Sequence, residues 1–170
     1  MNYSNIILDD IANGKGVRTT LFVSGCEKRC PGCFNSKLWD FNYGRQFTKN
    51  EWEMIFNAMD DYHDGITLLG GDPCALHNMT ALIPFLREFK SRFPEKTIWC
   101  YTGYTFEELY IDEINKQFLN LIDVLIDGPF VEELKDLSLK FRGSSNQRII
   151  DVKKTIESVK NIIPIVLYED

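Results

Sequence analysis

Val17-Arg18-Thr19-Thr20-Leu21-Phe22-Val23-Ser24-Gly25, followed at once by Cys26-Glu27-Lys28-Arg29-Cys30-Pro31-Gly32-Cys33, decides how the chain is read. Val17 to Val23 is rich in β-branched and apolar residues and stops at Ser24-Gly25, the pattern of a buried strand running into a loop. Three thiols follow, spaced Cys26-x-x-x-Cys30-x-x-Cys33, so one short loop can wrap a compact metal centre without long-range assembly. Inside it Pro31 fixes one φ, and Gly32 lets the backbone come close to a bound group.

The same punctuation recurs downstream. Ile66 to Leu69 is an apolar strand closed by Gly70-Gly71-Asp72-Pro73; Thr97 to Tyr101 ends at Thr102-Gly103; Ile122 to Ile126 is closed by Asp127-Gly128-Pro129. Arg148 to Val152 and Ile162 to Tyr168 supply two more strands. Between them lie helices. Thr48 to Glu51 has capping-box spacing ahead of Trp52, Ile55, Phe56 and Met59, which share one face. Met79, Leu82, Ile83, Leu86 and Phe89 mark a second helix, with Pro84 in its first turn or kinking it. A second capping box, Thr105 to Glu108, opens a helix to about Leu119, and a short one runs from Val152 to Lys160.

Strands alternating with helices predict an α/β fold built on a parallel sheet with right-handed crossovers. A closed eight-stranded barrel typically takes about 250 residues, and this chain has 170. The expectation is therefore an incomplete, open parallel β/α barrel of about five to six strands, in a single domain spanning residues 1–170. Ligands of such sheets sit at the carboxyl ends of the strands, so the cysteines, Gly70-Gly71-Asp72-Pro73 and Asp127-Gly128 should share one rim.

Composition narrows the classes. Hydrophobic residues make up 44% and charged residues 26%, which suits a globular protein. A net charge of -6 with no Lys/Arg block argues against nucleic-acid binding. Met1 to Asp10 lacks a basic start, and no apolar run approaches the ~20 residues of a membrane helix, so the expected location is the cytoplasm. In that reducing compartment an odd count of five cysteines points to metal binding or catalysis before disulfides.

Several chemistries fit the thiols taken alone. Cys30-Pro31-Gly32-Cys33 has the form of a redox dithiol, which leaves Cys26 unexplained. Structural zinc needs a fourth ligand, for which Cys74, Cys100, His63 and His77 are the candidates. A four-iron cluster on three protein thiolates keeps one iron open, the usual sign of chemistry, unless Cys74 closes it and leaves an electron carrier. Otherwise His63 reads as a surface residue and His77 as a helix start, while Trp39, Trp52 and Trp99 read as packing.

Taken together the motifs are more specific. Gly16-Val17-Arg18 through Cys26, Cys30, Cys33-Phe34-Asn35, with Gly70-Gly71-Asp72-Pro73, Trp99-x-Tyr101-Thr102-Gly103-Tyr104, Asp123 to Gly128 and Phe141 to Arg148, resemble the radical S-adenosylmethionine superfamily. Within it the chain is similar to the activating proteins of anaerobic ribonucleoside-triphosphate reductases. Two positions depart from common patterns: Gly32, which suits this family, replaces the aromatic many superfamily members carry, and Cys74 follows the glycine turn where an aliphatic residue is usual. The resemblance implies a 4Fe-4S cluster on Cys26, Cys30 and Cys33 and S-adenosylmethionine held by Gly32, Cys33, Phe34, Gly70, Gly71 and Asp72. It also implies a 5'-deoxyadenosyl radical that makes a glycyl radical on the reductase, and a low-potential electron donor such as a flavodoxin. Asp127 and Arg142 to Arg148 are further candidates for ligand or partner contact.

Overall fold

The chain opens with an antiparallel pair, β1 (Asn2–Asp10) and β2 (Val17–Val23). The structure, a computed structural model, describes residues 1–158 and 163–167. Beyond the cysteine loop come a 3-10 turn at Ser36–Trp39, the short β3 (Arg45–Gln46), α1 (Lys49–Ala58) and β4 (His63–Gly70). Then follow α2 (Leu76–Arg92), β5 (Thr97–Tyr101), α3 (Phe106–Leu109), α4 (Glu113–Leu119) and β6 (Val124–Asp127). A 3-10 turn at Glu132–Leu134 lies on the way to β7 (Arg148–Asp151), α5 (Val152–Glu157) and β8 (Ile165–Val166).

One sheet runs β3-β1-β2-β4-β5-β6-β7-β8. Its centre, β2-β4-β5-β6, is parallel, with Val23 opposite Gly70, Leu68 opposite Cys100 and Tyr101 opposite Ile126. The flanks are antiparallel: β1 to β2 and β3, β7 to β6, and β8 to β7. The sheet is thus mixed and has eight strands among the described residues, against the five to six parallel strands expected. Parallel return needs a crossover of a dozen residues or more, usually helical. Between β6 and β7 there is only the three-residue 3-10 turn, so β7 comes back antiparallel.

Alternation along the strands separates two faces. Leu21, Ile66, Leu68, Ile98, Cys100, Leu125 and Ile150 join one core with Ile55 and Phe56 of α1 and Met79, Leu82, Phe85, Leu86 and Phe89 of α2. On the other face Trp99, Val124, Ile126 and Ile149 gather with Tyr101 and Phe141. Both capping boxes form, at Thr48 and Thr105. The second does not open one long helix, because Asp112 is extended and splits α3 from α4. Pro84 lies inside α2 rather than in its first turn, on the exposed side, so the backbone bond it cannot make is lost towards solvent. Of the strand expected over Ile162 to Tyr168, Ile162 and Tyr168 lie outside the described residues, as do the last two residues, 159 and 160, of the helix expected to Lys160.

Candidate iron-sulfur site

β2 delivers the chain into the cysteine loop through Gly25, whose φ of +99° and position under Phe41 demand glycine: an added Cβ would lie 2.0 Å from the ring. The loop closes on its own downstream end, since Gly25 N–H donates to Leu38 O at 2.7 Å and Cys26 N–H to Trp39 O at 3.2 Å. Between the thiols, Cys33 N–H turns back onto Cys30 O at 3.2 Å, and Arg29 holds a left-handed φ of 47°. A non-glycine residue in that region marks a backbone held by its surroundings. Cys26, Cys30 and Cys33 are all half-buried and free of disulfides. Burial pushes the Cys26 thiol up, as does nearby Asp72, against opposing backbone N–H groups of Arg29 and Lys28.

The turn after β4 packs against this loop backbone to backbone. Gly71 N–H donates to Val23 O and Asp72 N–H to Gly25 O, both at 2.8 Å. A Cβ on Gly71 would meet Gly25 O at 2.5 Å. Asp72 is buried and links the turn to the end of β5. Its Oδ1 accepts from Cys74 N–H and the Thr102 hydroxyl at 2.9 Å each, and its Oδ2 from Gly103 N–H at 3.0 Å. Burial raises its carboxyl to about 6 despite those bonds.

Loops after β5 and β6 complete the ring. Lys28 Nζ sits 4.0 Å from the centre of the Tyr104 ring, Phe34 meets Phe130 edge-on at 6.4 Å, and Gly32 abuts the Glu132 carboxylate. Gly128 N–H donates to Tyr104 O at 2.9 Å. The cysteine loop, the glycine turn and the Asp127-Gly128 turn therefore share one rim, as the strand-end argument requires.

The donor set suits an iron-sulfur cluster by its chemistry, three thiols on one loop. Among the described residues no three metal-ligating side chains are gathered around one point, and the neighbouring cavity of about 790 Å³ is bordered by Cys26 alone of the three, with Arg29, Trp39 and Phe41. The candidates for a fourth ligand are placed otherwise. Cys74 turns into the core, with its Sγ 4.0 Å from that of Cys100, both buried. His63 is buried rather than on the surface, its Nδ1 accepting from Asp60 N–H at 3.2 Å and its Nε2 lying 3.0 Å from Leu8 O. His77 is exposed and edge-on to Phe41.

Comparison with known proteins agrees with this chemistry. A family model described as a 4Fe-4S single cluster domain matches residues 12–150. The anaerobic ribonucleoside-triphosphate reductase-activating protein of Pasteurella multocida is 45% identical over 152 residues, covering 88% of this chain and 96% of that protein. The Escherichia coli (strain K12) protein of the same name is 45% identical over 150 residues, 86% and 96% respectively, and that of Enterobacteria phage T4 is 40% identical, covering 88% and 93%. The chain belongs to this family of activating proteins.

Within the family frame, the structure places Gly32, Cys33, Gly70, Gly71 and Asp72 around the cysteine loop, while Phe34 is 81% exposed. Both Asp72 oxygens are engaged by protein donors, so its evident work is to join two loops. Asp127 is likewise buried and bound, by Phe106 N–H at 2.8 Å and Arg148 Nε at 3.0 Å, and ties β6 to α3 and β7. Gln147 anchors the following segment, its Oε1 accepting from Gly143 N–H at 2.9 Å and its amide donating to Gly128 O at 3.1 Å. Two residues to which the sequence reading gave no role matter as much. Asn78 of α2 reaches the backbone on both sides of the cysteine rim. Arg18, near the start of β2, is buried at the opposite ends of the strands.

Proposed function

We propose that this chain is a radical-generating activating enzyme: Cys26, Cys30 and Cys33 hold a 4Fe-4S cluster, S-adenosylmethionine binds its open iron, and a glycine of an anaerobic ribonucleoside-triphosphate reductase is the substrate. The observation that carries the reading is the backbone-to-backbone packing of Gly71 on Gly25, which sets a glycine turn against a loop of three half-buried thiols. When bound, the reduced cluster and S-adenosylmethionine supply a 5'-deoxyadenosyl radical that takes hydrogen from the reductase glycine.

The chain's own residues position and shield. The Gly70-Gly71 turn, packed on the residues ahead of Cys26, is where the methionine ammonium and carboxylate would meet backbone, Asp72 fixes that turn to Thr102 and Gly103, and Phe34 with Phe130 offers apolar surface at the rim. Water exclusion protects a reactive species. The wider fold belongs to the same reading: one radical S-adenosylmethionine domain whose sheet is an open barrel, acting in the cytoplasm with a low-potential donor such as a flavodoxin.

Anaerobic reconstitution with iron and sulfide, reduction, and addition of S-adenosylmethionine and reductase should yield 5'-deoxyadenosine and a glycyl-radical signal on the reductase. Serine at Cys26, Cys30 or Cys33 should abolish both. No 5'-deoxyadenosine from the reconstituted parent protein overturns the reading. Its rival, an electron carrier closed by Cys74, requires Cys74→Ser to destroy the cluster spectrum. With Cys74 facing Cys100, the expected outcome is an unchanged spectrum and a stability loss of about 1–3 kcal/mol from the buried hydroxyl.

A further inference from the structure

Asn78 lies in the first turn of α2 and is completely buried. Its Nδ2 stands 3.0 Å from Ser24 O, 3.1 Å from Gly25 O and 2.9 Å from Asp72 O. Three carbonyls around one group identify it as the amide nitrogen, and two hydrogens shared among them require at least one three-centre bond. The price is visible on the other side of the same group: Oδ1 is buried without a hydrogen-bond partner among the described residues. An unpaired buried acceptor is unfavourable, so an apolar side chain would suit core stability better at Oδ1.

Satisfying carbonyls explains the contact with Ser24 O but not the other two. Gly25 O already accepts from Asp72 N–H at 2.8 Å, and Asp72 O from Ala75 N–H at 3.1 Å. What the amide adds is a cross-link between the two residues ahead of Cys26 and the last residue of the Gly70-Gly71-Asp72 turn. We propose that Asn78 is a positioning residue that fixes the spacing between the first cluster thiol and the glycine turn, and thereby sets the affinity for S-adenosylmethionine. The proposal rests on the reading of this rim as a cluster and S-adenosylmethionine site. Under that reading the methionine end must meet the turn while the sulfonium meets the cluster, and small displacements of one support against the other forfeit alignment.

The test is Asn78→Asp, which keeps the shape and replaces the two amide donor hydrogens with at most the one of a protonated carboxyl. In the chain without cofactors, hydrogen exchange at the Gly71 and Asp72 amides should quicken about tenfold relative to core amides of β4. After anaerobic reconstitution, iron content should match the parent, while the concentration of S-adenosylmethionine that half-saturates the change in the reduced cluster's paramagnetic spectrum should rise about tenfold, equivalent to about 1.4 kcal/mol. An unchanged half-saturating concentration, or one that rises only in step with lost iron or lost folding, overturns the proposal. A parent protein whose spectrum ignores S-adenosylmethionine overturns the site reading instead, and the exchange comparison still decides whether Asn78 links the two turns. Should Asn78→Asp fail to fold, Asn78→Ser, smaller and with one hydroxyl donor, serves for the same measurements.

Discussion

Asp72 shows how one buried side chain at this rim trades charge against connection. Its carboxyl sits at about 6 in the folded chain against an ordinary 3.8, because burial outweighs the bonds from Gly103, Cys74 and Thr102. The folded state therefore binds a proton that the unfolded chain has released between those values. The contribution to stability is complete below about pH 4 and lost as pH rises through about 6. Asp72→Asn removes this titration. In urea unfolding at pH 4, 5, 6 and 7, the parent should lose about 3 kcal/mol relative to the variant over that interval. The candidate site stood out in the sequence because its residues come in spaced sets: three cysteines on one loop and a paired glycine before Asp72. The roles of Asn78 and Arg18 did not, since a single Asn in a helix or a single Arg in a strand has no local pattern that shows its contacts, and each works through partners about fifty residues away. His63 was misplaced for a related reason: its strand begins three residues before the apolar run that marks it.

Among elements, the decisive contact is between two strand-end turns that approach closer than side chains permit. Gly71 has ordinary room in its own backbone, but a Cβ there would lie 2.5 Å from Gly25 O and 2.9 Å from the Gly25 carbonyl carbon and nitrogen. Neither partner is a flexible side chain, so one turn must move. Gly71→Ala should lower stability by about 1–3 kcal/mol, as forced overpacking does. Melting temperature checks the first effect, and iron bound after reconstitution should fall with it because the displaced partner directly precedes Cys26. The parallel centre of the sheet was readable from apolar runs ending in glycine turns, with Val17–Val23 and Thr97–Tyr101 falling where their composition puts them. β1 was not, because Ser4, Asn5, Asp9 and Asp10 interrupt its apolar residues and its support comes from pairing with β2. The direction of β7 depended on what lies before it, a long segment without a crossover helix.

Across the whole molecule, the two ends of the parallel strands are built for different work. The glycine turns and thiols lie at the carboxyl ends; at the amino ends, Arg18 seals the strands to one another. Its guanidinium donates to Thr67 Oγ1 at 2.8 Å, Ile66 O at 2.7 Å, Thr97 O at 2.8 Å and Thr97 Oγ1 at 3.0 Å, with Trp99 beneath it at 5.3 Å. One side chain from β2 thus ties β4 and β5 together under the loop that carries Gly14. Burial lowers its pKa only to about 10, so it stays charged at neutral pH. Hydrogen bonds from a charged donor are worth more than neutral ones, and losing several at once leaves buried carbonyls and hydroxyls unpaired. Arg18→Ala should therefore cost at least about 3 kcal/mol in urea unfolding. Arg18→Lys should recover only part of that, since one ammonium cannot span acceptors on two strands as a planar fork does. Under conditions where both variants remain folded, iron bound after reconstitution should equal the parent's, because the seal and the cysteine rim occupy opposite ends of the same strands. A loss of iron in folded Arg18→Lys would instead mean that strain at the amino ends is carried along β2 to Gly25 and the first thiol.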